Sequence, residues 1–235
     1  MRILAKPPTA RISEIFSSIQ GEGIYAGEPQ IFVRFHGCNM SCIYCDTPSE
    51  GNPEEMILRA AIDKISDSNK NRTRTVSLTG GEPLLHADFL KVLIPNLREK
   101  RYKIHLDTNG ALPDKLKEVI NFVDVVAMDI KLPSATGDRP LWDEHREFLI
   151  IAKSKSVFIK IVITGETDEG DFDKAVELIE DVDEKIPLIL QPASQFKNFN
   201  AVPRVAVLIK WQRSAASKLR DVRIIPQLHK IWGLR

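Results

Sequence analysis

The sequence has few cysteines and no long apolar run, and these two shortages exclude several classes of protein. Its 235 residues include three cysteines, an odd number that argues against a disulfide framework and favours a reducing compartment. The longest apolar runs, such as residues 157–163, have the length of a strand and cannot cross a bilayer. The first ten residues lack a long apolar core, so we expect no signal peptide. We therefore predict a cytoplasmic protein without a membrane partner.

The sequence also lacks an excess of charge of either sign. Its 33 basic side chains nearly balance 32 acidic ones, and the net charge is +1. The absence of a basic excess predicts no nucleic-acid partner, and the absence of an acidic tail argues against disorder. There is no internal repeat, low-complexity segment or long linker. Because hydrophobic residues make up 43% of the chain, we expect one domain with a substantial core across residues 1–235.

Apolar, β-branched segments alternate with longer amphipathic segments along the chain. The predicted strands are Ile31–Phe35, Thr75–Thr79, Lys103–Asp107, Val123–Asp129, Val157–Ile163, Leu188–Gln191 and Val222–Ile225. The predicted helices are Pro53–Ile65, Ala87–Lys100, Pro113–Asn121, Arg139–Ser154, Gly170–Val182 and Ala201–Leu219. This alternation is typical of an α/β fold built from parallel βαβ units.

Polar or glycine-bearing motifs follow the predicted strands. They are His36–Cys38, Thr79–Glu82, Asp107–Gly110, Asp129–Lys131, Thr164–Glu166 and Gln191–Ser194. In a parallel sheet or barrel, the carboxyl ends of all strands lie at one edge, where such folds place their active sites. The sequence therefore predicts one polar site at that edge.

All three cysteines lie in the short segment CNMSCIYC. Cys38, Cys42 and Cys45 have the spacing Cys-x3-Cys-x2-Cys, which can wrap thiolates around a cluster of soft metal ions. Three thiolates on a four-iron cluster leave one iron open for chemistry. Two alternatives remain, a zinc site completed by His36 and a group of unliganded buried thiols.

The segment TGGEP, Thr79–Pro83, follows a predicted strand. Its two glycines allow the backbone to approach a ligand closely, and Glu82 could receive an ammonium group. The alternative is a common βα turn with Pro83 near the start of a helix.

Together the cysteine motif and GGEP resemble the radical S-adenosylmethionine (SAM) superfamily. Further segments are similar to one family within it, the 7-carboxy-7-deazaguanine synthases. The most specific is SIQGEGIYAGEPQIFVRFHGCN, Ser18–Asn39. The others are CDT at Cys45–Thr47, LDTNG at Leu106–Gly110, DIK at Asp129–Lys131, QPAS at Gln191–Ser194 and QLHK at Gln227–Lys230.

The resemblance implies a fold and two cofactors. The fold would be an incomplete TIM-type (β/α) barrel with a radical SAM core. A 4Fe–4S cluster would be held by Cys38, Cys42 and Cys45, and SAM would chelate its open iron. The residues implied to contact SAM are Gly81, Glu82, Asp129, Ile130, Lys131, Gln191, Pro192, Ala193 and Ser194.

The resemblance also implies a substrate, 6-carboxy-5,6,7,8-tetrahydropterin, and a third cofactor, Mg²⁺. The implied substrate contacts are Ile19, Gln20, Gly21, Glu22, Arg34, Thr79 and Asp107. Asp107 is shorter than the glutamate familiar at this family position. Thr47 would help to hold Mg²⁺, although a threonine before a proline is by itself more typical of a turn or helix cap.

The implied reaction is a radical ring contraction that forms 7-carboxy-7-deazaguanine with loss of ammonia, in the biosynthesis of 7-deazapurine nucleosides. The family is homodimeric and takes electrons from a donor such as flavodoxin or ferredoxin. One alternative is a glycyl-radical-enzyme activase, against which QGEG, Arg34 and CDT argue. The other is a non-catalytic metal-binding module, which would have no use for GGEP and DIK.

Overall fold

The structure is a computed structural model that describes residues 7–46, 52–70, 72–197 and 199–234. Within these residues, nine strands form one sheet. They are β1 (Thr9–Ile19), β2 (Pro29–Phe35), β3 (Glu54–Ile57), β4 (Thr75–Gly80), β5 (Lys103–Thr108), β6 (Val125–Asp129), β7 (Ser156–Ile163), β8 (Leu188–Pro192) and β9 (Val222–Ile224).

The sheet is an incomplete parallel barrel with an antiparallel extension at one edge. Its order is β3-β1-β2-β4-β5-β6-β7-β8-β9, and the strands from β2 to β9 along this order are parallel to their neighbours. β1 is antiparallel to both β2 and β3. The two outermost strands, β3 and β9, are not paired with each other, so the barrel stays open. The predicted fold class is therefore confirmed.

Helices connect the parallel strands, as right-handed βαβ units require. They are α1 (Leu58–Ser68), α2 (Ala87–Glu99), α3 (Pro113–Val119), α4 (Pro133–Thr136), α5 (Trp142–Ala152), α6 (Glu169–Asp183), α7 (Val205–Ala216) and α8 (Leu228–Ile231). Short 3₁₀ helices lie at Gly23–Tyr25, Pro83–His86 and Ile120–Phe122. No helix in the described ranges is both long and apolar enough to cross a membrane.

Alternate residues of the central strands face two different apolar clusters, as the period of a strand requires. In β6, Val126 and Met128 belong to the main core, which also contains the buried faces of the helices. Val125 and Ala127 face the opposite side and pack with Phe158 in a smaller cluster. The helices therefore cover one face of the sheet, and the other face is the inside of the open barrel.

The 3₁₀ helix Gly23–Tyr25 fills one end of the barrel interior. Ile24 and Tyr25 pack on the smaller cluster, which is formed by residues from the amino-terminal halves of their strands. Gly23 has a φ of +66°, and a Cβ atom there would lie 2.3 Å from a ring carbon of Phe158. Only glycine suits both this left-handed conformation and this close contact. The carboxyl ends of the strands are left to form a cavity.

Two predictions for the first part of the chain were wrong. No strand was predicted at Thr9–Ile19, and a helix was predicted from Pro53, where the structure has β3 before α1. The helical periodicity holds from Leu58 onward. The preceding residues pair with β1, where Thr9 lies opposite Ile57 and Ala10 opposite Met56, whose side chain is buried. This long-range pairing overrides the local pattern.

The ends of β2 and β4 lie unusually close together. The amide of Gly81 donates to the carbonyl oxygen of Phe35 at 3.1 Å, and the amide of Glu82 donates to that of Gly37 at 2.8 Å. A Cβ atom on Gly81 would lie 2.0 Å from the Gly37 carbonyl oxygen. This contact brings the GGEP segment against the start of the cysteine loop.

We expect Gly81→Ala to lower the free energy of unfolding by about 1–3 kcal/mol, because the new methyl group overpacks a backbone that cannot move far. Chemical denaturation measures the loss. Gly165→Ala is the matched control, since its Cβ would meet no atom closer than 3.4 Å. An equal loss in both variants would contradict this account of Gly81.

Candidate active site

A cavity of about 550 Å³ lies at the carboxyl ends of the parallel strands. It is lined by most of the predicted site residues: Ile19, Gln20, Gly21, Glu22, Arg34, Cys38, Cys42, Cys45, Thr79, Gly81, Asp107, Asp129, Lys131, Gln191, Ala193 and Ser194. Glu82, Ile130 and Pro192 do not line it. Thr47 lies outside the described residues. The structure thus brings residues from distant parts of the sequence to one edge of the sheet.

The cysteine loop is held in place by the segment that follows β6. The amide of Ile43 donates to the carbonyl oxygen of Thr136 at 3.1 Å. The amide of Ser41 donates to a carboxylate oxygen of Asp138 at 3.2 Å. Cys38 and Cys45 are exposed, and Cys42 is half-buried. The loop therefore presents all three thiols at the mouth of the cavity.

The described side chains do not form a preassembled site for a single metal ion. Among the described residues, no three His, Cys, Asp or Glu side chains converge as ligands of one metal ion. A tetrahedral zinc site requires such convergence, whereas an iron–sulfur cluster has cysteines bound to separate irons. His36 has another neighbour, since its Nδ1 lies 3.4 Å from the hydroxyl oxygen of Ser13.

The protein around the cysteine loop disfavours the thiolate form of two of the cysteines. Burial raises the pKa of the Cys42 thiol to about 11 and also raises the pKa of Cys38. Metal ligation requires the thiolate, so cluster binding at this loop must release protons.

Asn109, to which the sequence assigned no role, supports the cysteine loop from β5. Its side-chain amide donates to the side-chain oxygen of Asn39 at 2.8 Å and lies 3.8 Å from the Cys38 sulfur. Hydrogen bonds to cluster sulfurs tune reduction potentials. Its position in LDTNG, directly after β5, was the available signal.

The side chain of Glu82 is a structural tie rather than a cavity ligand. Its carboxylate is fully buried and accepts hydrogen bonds from the Thr108 hydroxyl at 2.9 Å and the Asn109 amide at 2.8 Å. A third hydrogen bond comes from the Leu84 amide at 3.0 Å. Burial raises the pKa of Glu82 to about 7, although these donors oppose the shift. The expectation that this carboxylate receives a ligand's ammonium group is therefore not supported by the geometry.

Two cavity residues carry buried acceptor atoms that have no hydrogen-bond donor among the described residues. They are Oδ1 of Asp129 and Oε1 of Gln191. The other carboxylate oxygen of Asp129 pairs with Lys131 Nζ at 2.8 Å, and this ammonium also donates to the Tyr44 hydroxyl at 3.3 Å. Unsatisfied buried acceptors are costly, so these two atoms suit a ligand that brings N–H or O–H donors.

Lys160, which the sequence reasoning missed, joins three carboxylates inside the cavity. Its ammonium pairs with Glu22 and lies 3.6 Å from Asp107 Oδ1 and 3.9 Å from Asp129 Oδ2. Burial alone would lower the pKa of Lys160, but Asp107, Glu22 and Asp129 raise it well above its ordinary value. Lys160 is therefore a cation. The signal was a lysine in the apolar run VFIKIVI, where a buried strand leaves no other charged residue.

The two predicted substrate carboxylates next to Lys160 are in different states. Burial would raise the pKa of Glu22, but the charge of Lys160 and hydrogen bonds from Lys160 and Gln227 hold it at about 2. Burial raises the pKa of Asp107 even though Lys160 opposes the shift. The Thr79 hydroxyl donates to Asp107 Oδ2 at 3.4 Å. Glu22 is thus a permanent acceptor, while Asp107 binds a proton more readily.

The C-terminal segment covers the loop that carries Gly21 and Glu22. The side-chain amide of Gln227 donates to Glu22 Oε1 at 2.9 Å and to Asp46 Oδ2 at 3.0 Å. The Leu228 amide donates to the carbonyl oxygen of Gly21 at 2.9 Å. A Cβ atom on Gly21 would lie 2.2 Å from His229 Nδ1. The segment therefore connects the substrate loop to the end of the cysteine loop.

We expect Lys160→Met to lower the free energy of unfolding at neutral pH by about 3–5 kcal/mol, because three carboxylates lose their shared cation. In the wild type, Glu22 stabilises the fold above its ordinary pKa of 4.5, and this contribution is lost as the pH falls toward 2. Without Lys160 the carboxylate pKa values rise. The variant should therefore become less stable as the pH is raised.

Chemical denaturation at about pH 5.5 and about pH 8 measures this dependence. The matched control is Lys210→Met, which removes an exposed lysine paired with Glu169 at 2.7 Å. Surface pairs contribute little, so the control should stay close to the wild type at both pH values. A loss in Lys160→Met no larger than in the control would show that the network does not stabilise the fold.

Comparison with known proteins identifies the family. The profile of the Radical SAM superfamily matches residues 32–182. A 7-carboxy-7-deazaguanine synthase from Geobacter sulfurreducens is 40% identical, over 96% of this chain and 98% of the relative. Another from Methanothermobacter thermautotrophicus is 35% identical, also over 96% of this chain and 98% of the relative.

A solved structure shows the same fold. The crystal structure of QueE from Escherichia coli covers 94% of this chain and 95% of its own, with a TM-score of 0.66 and 21% identity. Its similarity supports the incomplete barrel, and the higher identity of the curated relatives supports the narrower assignment. The chain belongs to the radical SAM superfamily and, within it, to the 7-carboxy-7-deazaguanine synthase family.

Proposed function

We propose that this chain converts 6-carboxy-5,6,7,8-tetrahydropterin to 7-carboxy-7-deazaguanine by a radical SAM ring contraction with loss of ammonia. One observation carries the proposal beyond the family assignment. A single cavity contains the cysteine loop, the unsatisfied acceptors of Asp129 and Gln191, and the charged groups of Glu22, Arg34 and Asp107. A site of this kind has a place for a cluster, for a donor-rich cofactor and for an anionic heterocycle.

The cluster would be held by Cys38, Cys42 and Cys45, with SAM on the iron that has no protein ligand. When bound there and reduced, this pair supplies a 5′-deoxyadenosyl radical that removes a hydrogen atom from the substrate. The protein's own task is to place the substrate within reach and to keep water away.

The SAM contacts follow from the acceptors at the ends of β6 and β8. Asp129 Oδ1 and Gln191 Oε1 would accept from the N–H and O–H groups of the cofactor, which relieves their unsatisfied state. Lys131 keeps Asp129 oriented through its 2.8 Å ion pair. Gly81, Ala193 and Ser194 line the cavity, and their small size leaves room for the cofactor. Glu82, Ile130 and Pro192 do not line the cavity, and they would act by fixing the backbone of the lining residues next to them.

The substrate contacts follow from the polar groups on the other side of the cavity. Glu22 and Asp107 would accept from the N–H groups of the pterin, with Thr79 orienting Asp107. Gln20 is fixed because its side-chain oxygen accepts from the Glu22 amide at 3.1 Å and its side-chain amide donates to Gln30 at 3.3 Å. Ile19 and Gly21 complete this edge of the lining. The C-terminal segment covers it and limits access of water.

Arg34 is the proposed contact for the substrate carboxylate. It lies at the cavity wall, pairs with Glu14 and is stacked over the ring of Phe16, with 5.3 Å from its guanidinium carbon to the ring centre. A guanidinium has five donors in a planar fork, so the contact with Glu14 leaves donors for a second carboxylate.

Mg²⁺ is proposed as the third cofactor, bound by Thr47 and by oxygens of the substrate. Magnesium keeps several waters and needs few protein ligands. The residue before Thr47, Asp46, is fixed by Gln227 and by Lys230 Nζ at 2.5 Å.

The proposal extends to the surroundings of the enzyme. We place it in the cytoplasm, as a single-domain homodimer that takes electrons from a flavodoxin or ferredoxin. A reducing compartment keeps the cysteines available as thiolate ligands.

The direct test is anaerobic reconstitution with iron and sulfide, followed by incubation with a reductant, SAM and the carboxytetrahydropterin, with and without Mg²⁺. We expect about four irons per chain, formation of the deazaguanine and a higher rate with Mg²⁺. Liquid chromatography with mass spectrometry measures the product. Deoxyadenosine without the deazaguanine would favour the activase alternative, and a colourless protein that binds zinc would overturn the proposal.

We expect Arg34→Gln to raise KM for the pterin at least about tenfold, the effect of losing a hydrogen bond to a charged group. The value of kcat at saturating substrate should change less. Steady-state kinetics separates the two. Arg59→Gln is the control, because Arg59 is 90% exposed on α1 and its ion pair with Asp63 lies on the helix surface. An unchanged KM in Arg34→Gln would remove Arg34 from the substrate site.

A further inference from the structure

Lys160 is the charged residue of β7, a strand whose other buried residues are apolar. It lies within β7, where its register neighbours are Asp129 on β6 and Ile189 on β8, and its side chain is 7% exposed. Replacing buried ion pairs by apolar residues of similar volume is often neutral or stabilising. Once the three acidic neighbours are present the fold needs this cation, but the buried network as a whole is weak support for stability, which points to a role in the cavity.

The three acidic partners of Lys160 come from separate elements. Glu22 belongs to the loop after β1, Asp107 to β5 and Asp129 to β6. Lys160 contacts Glu22 directly and lies 3.6 Å and 3.9 Å from Asp107 and Asp129. Because mutual repulsion would otherwise separate these carboxylates, one ammonium determines how far apart they stand.

Each carboxylate oxygen of Glu22 has one protein contact and can still accept a hydrogen bond from a ligand. Oε2 of Glu22 pairs with Lys160, and Oε1 accepts from Gln227 at 2.9 Å. A carboxylate has about four lone-pair sites, so each oxygen can still accept one further hydrogen bond. Glu22 and Asp107 both line the cavity. Held by the same cation, they place two acceptor groups on the cavity wall.

We propose that Lys160 is a positioning residue that holds Glu22 and Asp107 as a matched pair of acceptors for the amidine-like N–H edge of the heterocyclic substrate. Lys160 acts through these carboxylates and does not itself touch the reacting atoms. The inference rests on the proposed function, because the substrate is the one assigned there. It adds a residue that determines which heterocycles the site accepts.

The geometry also explains why this cation is a lysine. A compact ammonium can serve three carboxylates at different angles, whereas a planar guanidinium directs its donors in a fixed fork. Lys160→Arg should thus keep the charge and much of the stability, but displace Glu22 from its place beside Gln227. The two substitutions separate the effect of charge from the effect of position.

The test compares the wild type with Lys160→Met, Lys160→Arg, Glu22→Gln and the double variant Glu22→Gln/Lys160→Met. Steady-state kinetics gives KM and kcat for the pterin, and deoxyadenosine release without pterin reports the cluster and SAM site. We expect KM to rise at least about tenfold in Lys160→Met and several-fold in Lys160→Arg. Deoxyadenosine release should change much less than KM, because Asp129 keeps its 2.8 Å pair with Lys131 when Lys160 is replaced.

The double-mutant cycle distinguishes positioning from a structural role. If Lys160 acts through Glu22, the rise in KM caused by Lys160→Met should shrink when Glu22 is already Gln. Lys210→Met is the control and should leave both constants unchanged. Should Lys160→Met not fold, the rise in KM in Lys160→Arg decides.

Three outcomes would overturn the inference. The first is a wild-type KM in both Lys160 variants, and the second is a rise in KM that is as large in the Glu22→Gln background as in the wild type. The third is a loss of deoxyadenosine release equal to the loss of product, which would place Lys160 in the SAM site. If the wild type itself forms no deazaguanine, the proposed function fails and this inference with it.

Discussion

Parallel pairing is the constraint on which this structure depends. From β2 to β9, neighbouring strands run in the same direction, so all their carboxyl ends meet at one edge. Residues far apart in the chain, such as Arg34 and Gln191, come to line one cavity. The amino-terminal halves of the strands carry apolar side chains toward the interior, and the carboxyl ends carry polar ones. The fold thereby separates the apolar packing inside the barrel from the polar site at the carboxyl ends of the strands.

Charge within the cavity is arranged around two lysines, of which Lys160 is buried and Lys131 half-buried. Lys131 pairs with Asp129 near the cysteine loop, and Lys160 gathers Glu22 and Asp107 toward the substrate loop. Both lysines approach Asp129, so this carboxylate connects the two halves of the site.

Much of the fold was predictable because the parallel strands carry strong local signals. Their apolar runs and the amphipathic helices between them suffice to predict alternating βα units. The strands β1 and β3 were not predictable in this way. They pair with each other across a long stretch of sequence, and Glu54–Ile57 locally fits the start of the helix that follows. Boundaries set by distant partners cannot be read from a local period.

The location of the site was predictable, but some of its internal contacts were not. Motifs after the strands led to the cavity, and the family assignment is confirmed, while the individual roles of the residues stay predictions. Lys160 lies inside a strand, so it belongs to none of the motifs that follow the strand ends. Glu82 stands in a motif, yet its side chain points to Thr108 and Asn109. A motif gives the place of a residue in the chain and not the direction of its side chain.

The 3₁₀ helix Gly23–Tyr25 belongs to the same loop that carries Gln20 and Glu22. One end of the loop thus carries two of the proposed substrate contacts. At its other end, Ile24 and Tyr25 pack inside the barrel and close the bottom of the cavity. The same loop consequently determines both the depth of the cavity and the position of the acceptors Gln20 and Glu22 within it. Evolution could enlarge or shrink the accepted ring system by reseating this loop, with the cluster end of the cavity unaltered.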